Sequence, residues 1–304
     1  MWFKNLVVYR LPADWALGAA ELEQQLNARP LQPCSPFEMS SRGWVAPSST
    51  GRLVHTVNLQ HLIALGVNQK LLPASVIRQV TAERAAVLAA EQGFPVGRRQ
   101  MRDLKMSVTE ELRARALTRR RITRAWIDPA NGWLVVDAAG TAKAEELIET
   151  LRDTLGSLAV TLIDTSRSPQ MSMAVWLKLG EAPLRLSIEQ DLELRAANQS
   201  KASIRYSRHP LDGKEIQTHL AAGLFPTRLG LSWNGRIAFV LNEKLQLKRL
   251  EFLEMSKDRP DGDEIDAAEQ FDVDFTVMAG ELAKLLDDVV AALGTEAHER
   301  AAAA

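Results

Sequence analysis

Strand and helix patterns mix along this 304-residue chain without a βαβ rhythm, which predicts an α+β fold with mixed or antiparallel sheets. Three observations carry that expectation. Residues 227–253 alternate apolar and polar side chains across turn signals at Asn234-Gly235 and Asn242-Glu243, as an antiparallel meander does. Asn131-Gly132 separates two further extended runs and is a strong hairpin signal. Residues 274–294 carry apolar side chains at helical spacing and end on Gly294.

Taken in order, LVVYRL (residues 6–11) reads as a strand. An amphipathic helix follows over residues 14–28, with Trp15, Ala19, Leu22 and Leu26 on one face. Residues 29–47 are turn-rich, and residues 55–67 fit one or two strands. Pro73 opens a helix that stops near Gly93-Phe94-Pro95. Ser107-x-x-Glu110 has the form of a capping box, so the next helix is expected to start there and run on through the arginines. Its apolar stripe would be Val108, Leu112 and Ala116, with Arg113, Arg120 and Arg124 on another face. A helix that polar should project into solvent.

Beyond the hairpin, residues 141–155 form a helix with Thr141 as cap and Gly156 as stop, and LAVTLID (residues 158–164) a strand. TSRSPQ (residues 165–170) resembles a linker in composition. A short helix over residues 173–180 and extended segments at 192–196 and 203–208 precede a helix ended by Gly223.

Composition excludes several classes. A 46% hydrophobic and 25% charged chain is of ordinary globular type, and no apolar run is long enough for a membrane helix. The start lacks the order of a signal peptide, so a cytoplasmic protein is expected. The lone Cys34, read as a small buried hydrophobe, rules out an internal disulfide and a cysteine-built metal site. Motifs for phosphate loops, dinucleotides, zinc hydrolysis and serine nucleophiles are missing. His55 and His61 have no carboxylate placed in sequence to orient them, and His219 and His298 read as equally bland. His209, between Arg208 and Pro210, suits phosphate contact as well as catalysis. The acidic stretch around Asp261, Asp263, Asp266, Asp272 and Asp274 fails the EF-hand pattern and reads as a solvated loop entering a helix. No metal or cofactor is expected.

The net charge of −1 conceals a strong asymmetry. Residues 96–126 hold ten basic side chains, nine of them arginine, against three acidic ones. Residues 201–250, which include Lys201, hold nine basic and three acidic, and residues 251–304 hold fifteen acidic and four basic. Guanidinium forks suit phosphate, and acids that would make a merely solubilising surface are scarce in the first island. A nucleic acid or another polyanion is the expected partner. With no base-reading module present, contact with the backbone and no sequence preference should follow.

The blocks WFKNLVVYRLP (residues 2–12), PCSPFEMSSRGWVAP (33–47), LPASVIRQ (72–79), residues 126–160, LKRLEF (247–252) and DFTVMAGELAKLL (274–286) resemble the RdgC family of proteobacterial recombination-associated proteins. They occur in family order along nearly the whole chain. The resemblance implies a non-enzymatic protein whose ring-shaped homodimer passes double-stranded DNA through a positively lined hole; single-stranded DNA stays open as a second ligand. It implies antagonism of RecA in homologous recombination and replication-fork repair, and a place in the nucleoid. A central domain (residues 1–75 and 126–165), a helical tip (76–125) and a C-terminal base (166–304) are expected, with subunits joined at tip and base. DNA contact then falls to Arg98, Arg99, Arg102, Arg113, Arg119, Arg120, Arg121, Arg124, Arg205, Arg208, Lys214, Arg228 and Lys248. Dimer contacts fall to Leu117, Phe275, Met278 and Leu282, although the apolar face of that last helix could equally be core. The competing classes are a metal-dependent nuclease using the acids of residues 261–274 and a non-enzymatic assembly module.

Overall fold

The computed structural model describes residues 2–196, 202–253 and 266–294, and Lys201, Asp261, Asp263 and His298 lie outside them. The fold is α+β, with antiparallel strand pairing and seven helices among the described residues. The elements are β1 (Asn5–Arg10), α1 (Ala19–Asn27), β2 (Ser40–Val45), β3 (Val54–Val57), β4 (Gln60–Lys70), α2 (Ala74–Gln92), α3 (Arg98–Arg115) and β5 (Thr118–Asp128). There follow β6 (Trp133–Asp137), α4 (Thr141–Leu155), β7 (Thr161–Leu162), α5 (Pro169–Leu179), β8 (Leu186–Ala196) and β9 (Ser203–Tyr206). The last are α6 (Lys214–Ala221), β10 (Leu224–Trp233), β11 (Ile237–Asn242), β12 (Leu247–Phe252) and α7 (Ala267–Ala292). Two compact units result, one of residues 1–23, 46–63 and 123–304, the other of residues 24–45 and 64–122, so that β4 and β5 each cross the boundary.

In the larger unit the strands run β4-β5-β6-β1-β12-β11-β10-β8-β9, with β3 beside β4 and β7 beside β1. Period-two alternation sorts its side chains. Leu192, Leu194, Leu229, Leu231, Trp233, Ile237, Phe239, Leu241 and Leu247 point to one face and join Phe275, Met278, Leu282, Leu285, Leu286 and Val289 of α7 in the core. The indole of Trp233 stays satisfied there because its Nε1 donates to Asp288 Oδ2 at 2.7 Å. Along β1 and β6 both faces are buried: Leu6, Val8, Trp133 and Val135 join that core, while Val7, Tyr9, Leu134 and Val136 are buried on the side of α4. Glu193, Arg228, Asn242 and Lys248 emerge on the opposite face of β8, β10, β11 and β12.

In the smaller unit β2 pairs with β4 and the antiparallel pair α2 and α3 packs together. Gly43 is demanded by close approach, since a Cβ there would meet the Leu31 backbone at 2.6 Å. The α2 helix runs from Pro73 to Gly93, which takes φ 76° and donates its N–H to Ala89 O as a C-cap. Val108 is the one fully buried side chain of α3, consistent with a helix presenting mostly charge.

Several local expectations are corrected. The α3 helix starts at Arg98, not Ser107, and its cap is Gly97, whose N–H donates to Gln100 Oε1 at 3.0 Å. Helix-favouring Arg, Gln, Met and Leu residues extend the segment backwards past the serine. The arginines after Ala116 are on a strand, because β-branched Thr118, Ile122 and Thr123 feed a hairpin closed at Gly132, φ 68°. Arg120 and Arg124 therefore share no helical face with Arg113. Gly140, not Thr141, caps α4, and the expected strand over residues 158–164 narrows to the two residues of β7. The α7 helix begins at Ala267, with Asp266 Oδ1 accepting from Ala268 N, so part of the expected acidic loop is its first two turns.

Candidate nucleic-acid interface

On this face of the larger unit's sheet lies a concavity of about 300 Å³ where part of the second basic island converges. Arg205 of β9, Arg228 of β10, and Lys248 and Arg249 of β12 line it, together with Asp191 and Glu193 of β8, Tyr206, Asn242 and Gln246. In sequence these four cations span residues 205–249; antiparallel pairing of β9 on β8, β8 on β10, β10 on β11 and β11 on β12 draws them into one hollow.

Two neighbours on a strand normally face opposite ways, yet Lys248 and Arg249 both line this hollow. The pairing of β11 with β12 slips between Ala238 and Val240, and Arg249 takes the left-handed φ of 53°. Its backbone N–H is then held by Asn5 Oδ1 at 3.3 Å. A non-glycine residue in this region costs stability, so the surrounding strands must enforce it. This doubling of cations at one strand position was invisible in the sequence, where Arg249 was only one basic residue among several along the meander.

The charges are balanced in a particular way. Glu193, largely buried, accepts from Thr227 Oγ1 at 3.1 Å and lies 3.4 Å from Arg228 Nη1 and 3.3 Å from Arg195 Nη2. Lys248 Nζ donates to the carbonyls of Ala138 at 3.5 Å and Ala139 at 3.0 Å, just before α4. Burial first and then the nearby Arg228 guanidinium hold its ammonium below the usual lysine range. Such an ammonium has incomplete compensation and is stabilised by any anion that enters the hollow. A group with several acceptor oxygens, such as a phosphodiester, matches this donor set.

The other expected residues are distributed differently. Arg208, with φ 52°, and Lys214 are exposed on the loop and on α6 and do not line the hollow. The His209 ring Nδ1 is 2.7 Å from the carbonyl of Pro210. Arg124 is half-buried near Asp137, whose carboxyl is raised chiefly by burial and lowered by the Asn5 and Lys4 backbone N–H groups and by Arg124 itself. In the smaller unit Arg98, Arg99 and Arg102 are exposed on the first turns of α3, Arg113 is half-buried, and Arg119 and Arg120 are exposed on β5. Arg120 Nε donates to Asn68 Oδ1 at 3.1 Å and Arg121 is half-buried and engaged. Glu111 is drawn to Arg84 Nη2 at 2.6 Å and Arg115 Nη1 at 3.6 Å, which holds its carboxyl below the usual range.

Leu117 is 79% exposed, whereas Phe275, Met278 and Leu282 are each 0% exposed within the single chain. Those three cannot meet a second subunit without dismantling the core, so of the two readings of that helix face the structure takes the core. His55 does have a carboxylate close by: its Nε2 lies 3.1 Å from Asp272 Oδ1, and its ring packs edge-on against Phe271 and Phe275. His61 Nδ1 is 3.0 Å from Thr56 Oγ1. Cys34 is half-buried with its thiol on the carbonyl of Asn68, not an inert core residue. Of the acidic stretch, Asp266 caps α7 and Asp274 accepts from Gln270 Nε2, and among the described residues no three His, Cys, Asp or Glu form a metal-sized group. No described helix is long and apolar enough to cross a membrane.

Comparison with known proteins adds the lineage. A family model described as "Putative exonuclease, RdgC" matches residues 1–296. The recombination-associated protein RdgC of Dechloromonas aromatica (strain RCB) is 48% identical over 98% of this chain and 99% of its own length. Its counterpart in Cupriavidus pinatubonensis is 45% identical over 97% of this chain and 99% of its own, and that of a Janthinobacterium species 44% over 99% and 100%. With one family model over almost the whole chain and end-to-end identity of this order, the chain belongs to the RdgC family of recombination-associated proteins.

Proposed function

We propose that this protein binds double-stranded DNA through its phosphates and without sequence preference. The observation that carries the reading is the hollow on the sheet face, where Arg205, Arg228, Lys248 and Arg249 converge on a space wide enough for a phosphate group. The exposed arginines of α3 and β5 add a second cationic surface, in the smaller unit. The chain works as a ring-shaped homodimer around the duplex, with residues 76–125 as its tip and residues 166–304 as its base. Occupying the duplex limits RecA in recombination and replication-fork repair, which accords with the name carried by its relatives. Leu117 is left for a tip contact, and base contacts belong to residues other than Phe275, Met278 and Leu282.

A gel shift of linear and circular duplexes over a salt series tests this. Several phosphate contacts per subunit give a log–log slope of about −5 or steeper. A slope near zero, or strong preference for one sequence, removes the reading and leaves an assembly module.

The description of the matching family model favours one further reading, an exonuclease. Magnesium-dependent shortening of linear duplex that is lost in Asp191→Asn or Asp263→Ala would establish it. Retention of full-length DNA with magnesium supports binding without cleavage.

A further inference from the structure

On the α4 side of the larger unit's sheet, a groove of about 750 Å³ opens between α4 and β7. Its walls have two characters. Glu145, Glu146 and Glu149 supply carboxylates along α4, while Ile148, Val160 and Leu162 supply apolar surface. Arg152 also lines it, but its guanidinium is anchored through Nε to the carbonyl of Leu158 at 3.1 Å. Carboxylates on a helix would by themselves be an ordinary solvated face. The second observation is Tyr9, which lines the same groove, is 5% exposed, and has a hydroxyl buried without any hydrogen-bond partner among the described residues. A buried phenol left unsatisfied costs stability, and ordered groups that satisfy it are normally found.

Chemistry narrows the ligand. A neutral phenol oxygen accepts well from N–H and is a poor ligand for a hard metal ion, and no metal-sized group occurs among the described residues. Burial and then the Glu145 carboxylate push this phenol up to about 12, so it keeps its proton at any ordinary pH. An alkylammonium can donate one N–H to the phenol oxygen and others to carboxylate, while its methylene stem lies on Ile148, Val160 and Leu162. We infer that the α4–β7 groove is a binding site for a linear polyamine, with one ammonium seated between the Tyr9 hydroxyl and Glu145 and the methylene chain along the apolar wall. This site is separate from the basic hollow and does not depend on the DNA reading.

The test is calorimetric titration of the full-length protein with spermidine at low salt, in wild type and in the Tyr9→Phe and Glu145→Gln variants. Tyr9→Phe keeps the ring and removes only the hydroxyl, and Glu145→Gln alters an exposed residue, so at least one variant folds. Each variant should lose about tenfold in spermidine affinity, as expected for a charge-assisted hydrogen bond. A single-lysine hexapeptide should bind more weakly than spermidine and show the same dependence on both residues. The inference is overturned if spermidine does not bind, if both variants bind it like wild type, if magnesium chloride displaces it at equal charge concentration, or if the peptide binds more tightly.

Discussion

Replacing Glu193 by Gln should tighten DNA binding. The Glu193 carboxylate lies 3.4 Å from Arg228 and 3.3 Å from Arg195, so in the free protein both guanidinium groups are partly neutralised beside the hollow. Glutamine keeps the shape and can still accept from Thr227, which donates to Glu193 Oε1 at 3.1 Å. It also removes a negative charge that any approaching phosphate must face. Each additional phosphate neutralised steepens the log–log salt slope by about 0.9, and each changes affinity about threefold between 50 and 200 mM salt. Glu193→Gln should therefore steepen the slope by about one to two and tighten binding several-fold at low salt. Arg228→Ala should flatten it by about one and, in addition, leave Glu193 facing the DNA with only Arg195 beside it. The folded state should shift by less than about 1 kcal/mol in either case, because Arg228 and Arg195 are half exposed and such pairs are screened by solvent. Fluorescence anisotropy on one labelled duplex at four salt concentrations reads both parameters. If Glu193→Gln weakens binding, or leaves slope and affinity unchanged, the hollow is not in the DNA path and the site has been misplaced.

Three further outcomes follow from the same geometry. Lys248 has a lowered pKa in the free protein, and a phosphate beside it raises that pKa, so binding takes up a proton at alkaline pH, between the free and bound values. The affinity contributed by Lys248 is then fully present below its free-protein pKa and fades as pH rises through the bound value; anisotropy over an alkaline pH series should show this in wild type and not in Lys248→Met. Replacing Arg98, Arg99 and Arg102 together by Ala should leave thermal stability within about 0.5 kcal/mol, since all three are exposed, and should weaken all duplexes alike if α3 lies along the DNA; sequence-selective weakening speaks against a phosphate role. Leu282→Ala empties a fully buried core position and should cost about 2–5 kcal/mol in urea denaturation, with no change in oligomeric state by light scattering in native buffer; an intact fold with altered oligomeric state would restore that helix face to an interface.

Where local rules act alone, the chain declared its structure. Pro73 and Gly93 bracket α2, Asn131-Gly132 turns the β5–β6 hairpin, and the alternation of residues 227–253 becomes β10, β11 and β12. Those signals work within a few residues of themselves: a fixed φ, a permitted left-handed turn, a period of two. The basic islands, too, are plain in composition. Their disposition is another matter. Thr118 to Arg124 reads as the continuation of a polar helix until β5 takes its place beside β4 in the sheet, because ladder hydrogen bonds with distant residues outweigh helix propensity in an arginine-rich segment. Phe275, Met278 and Leu282 were equally good as interface or as core, since amphipathicity states that a face must be covered and not by what; the sheet made of β8 and β10–β12 covers it. Arg249 joins Lys248 in the hollow only because β12 slips against β11 and forces a left-handed residue, and Tyr9 meets α4 only through the packing of β1 beside β6. The kinds of residue and their local conformation are settled by neighbours along the chain. Which of them share one cavity is settled by strand register and layer packing, where contacts join residues more than two hundred positions apart, as between the Phe3 backbone N–H and Met278 Sδ.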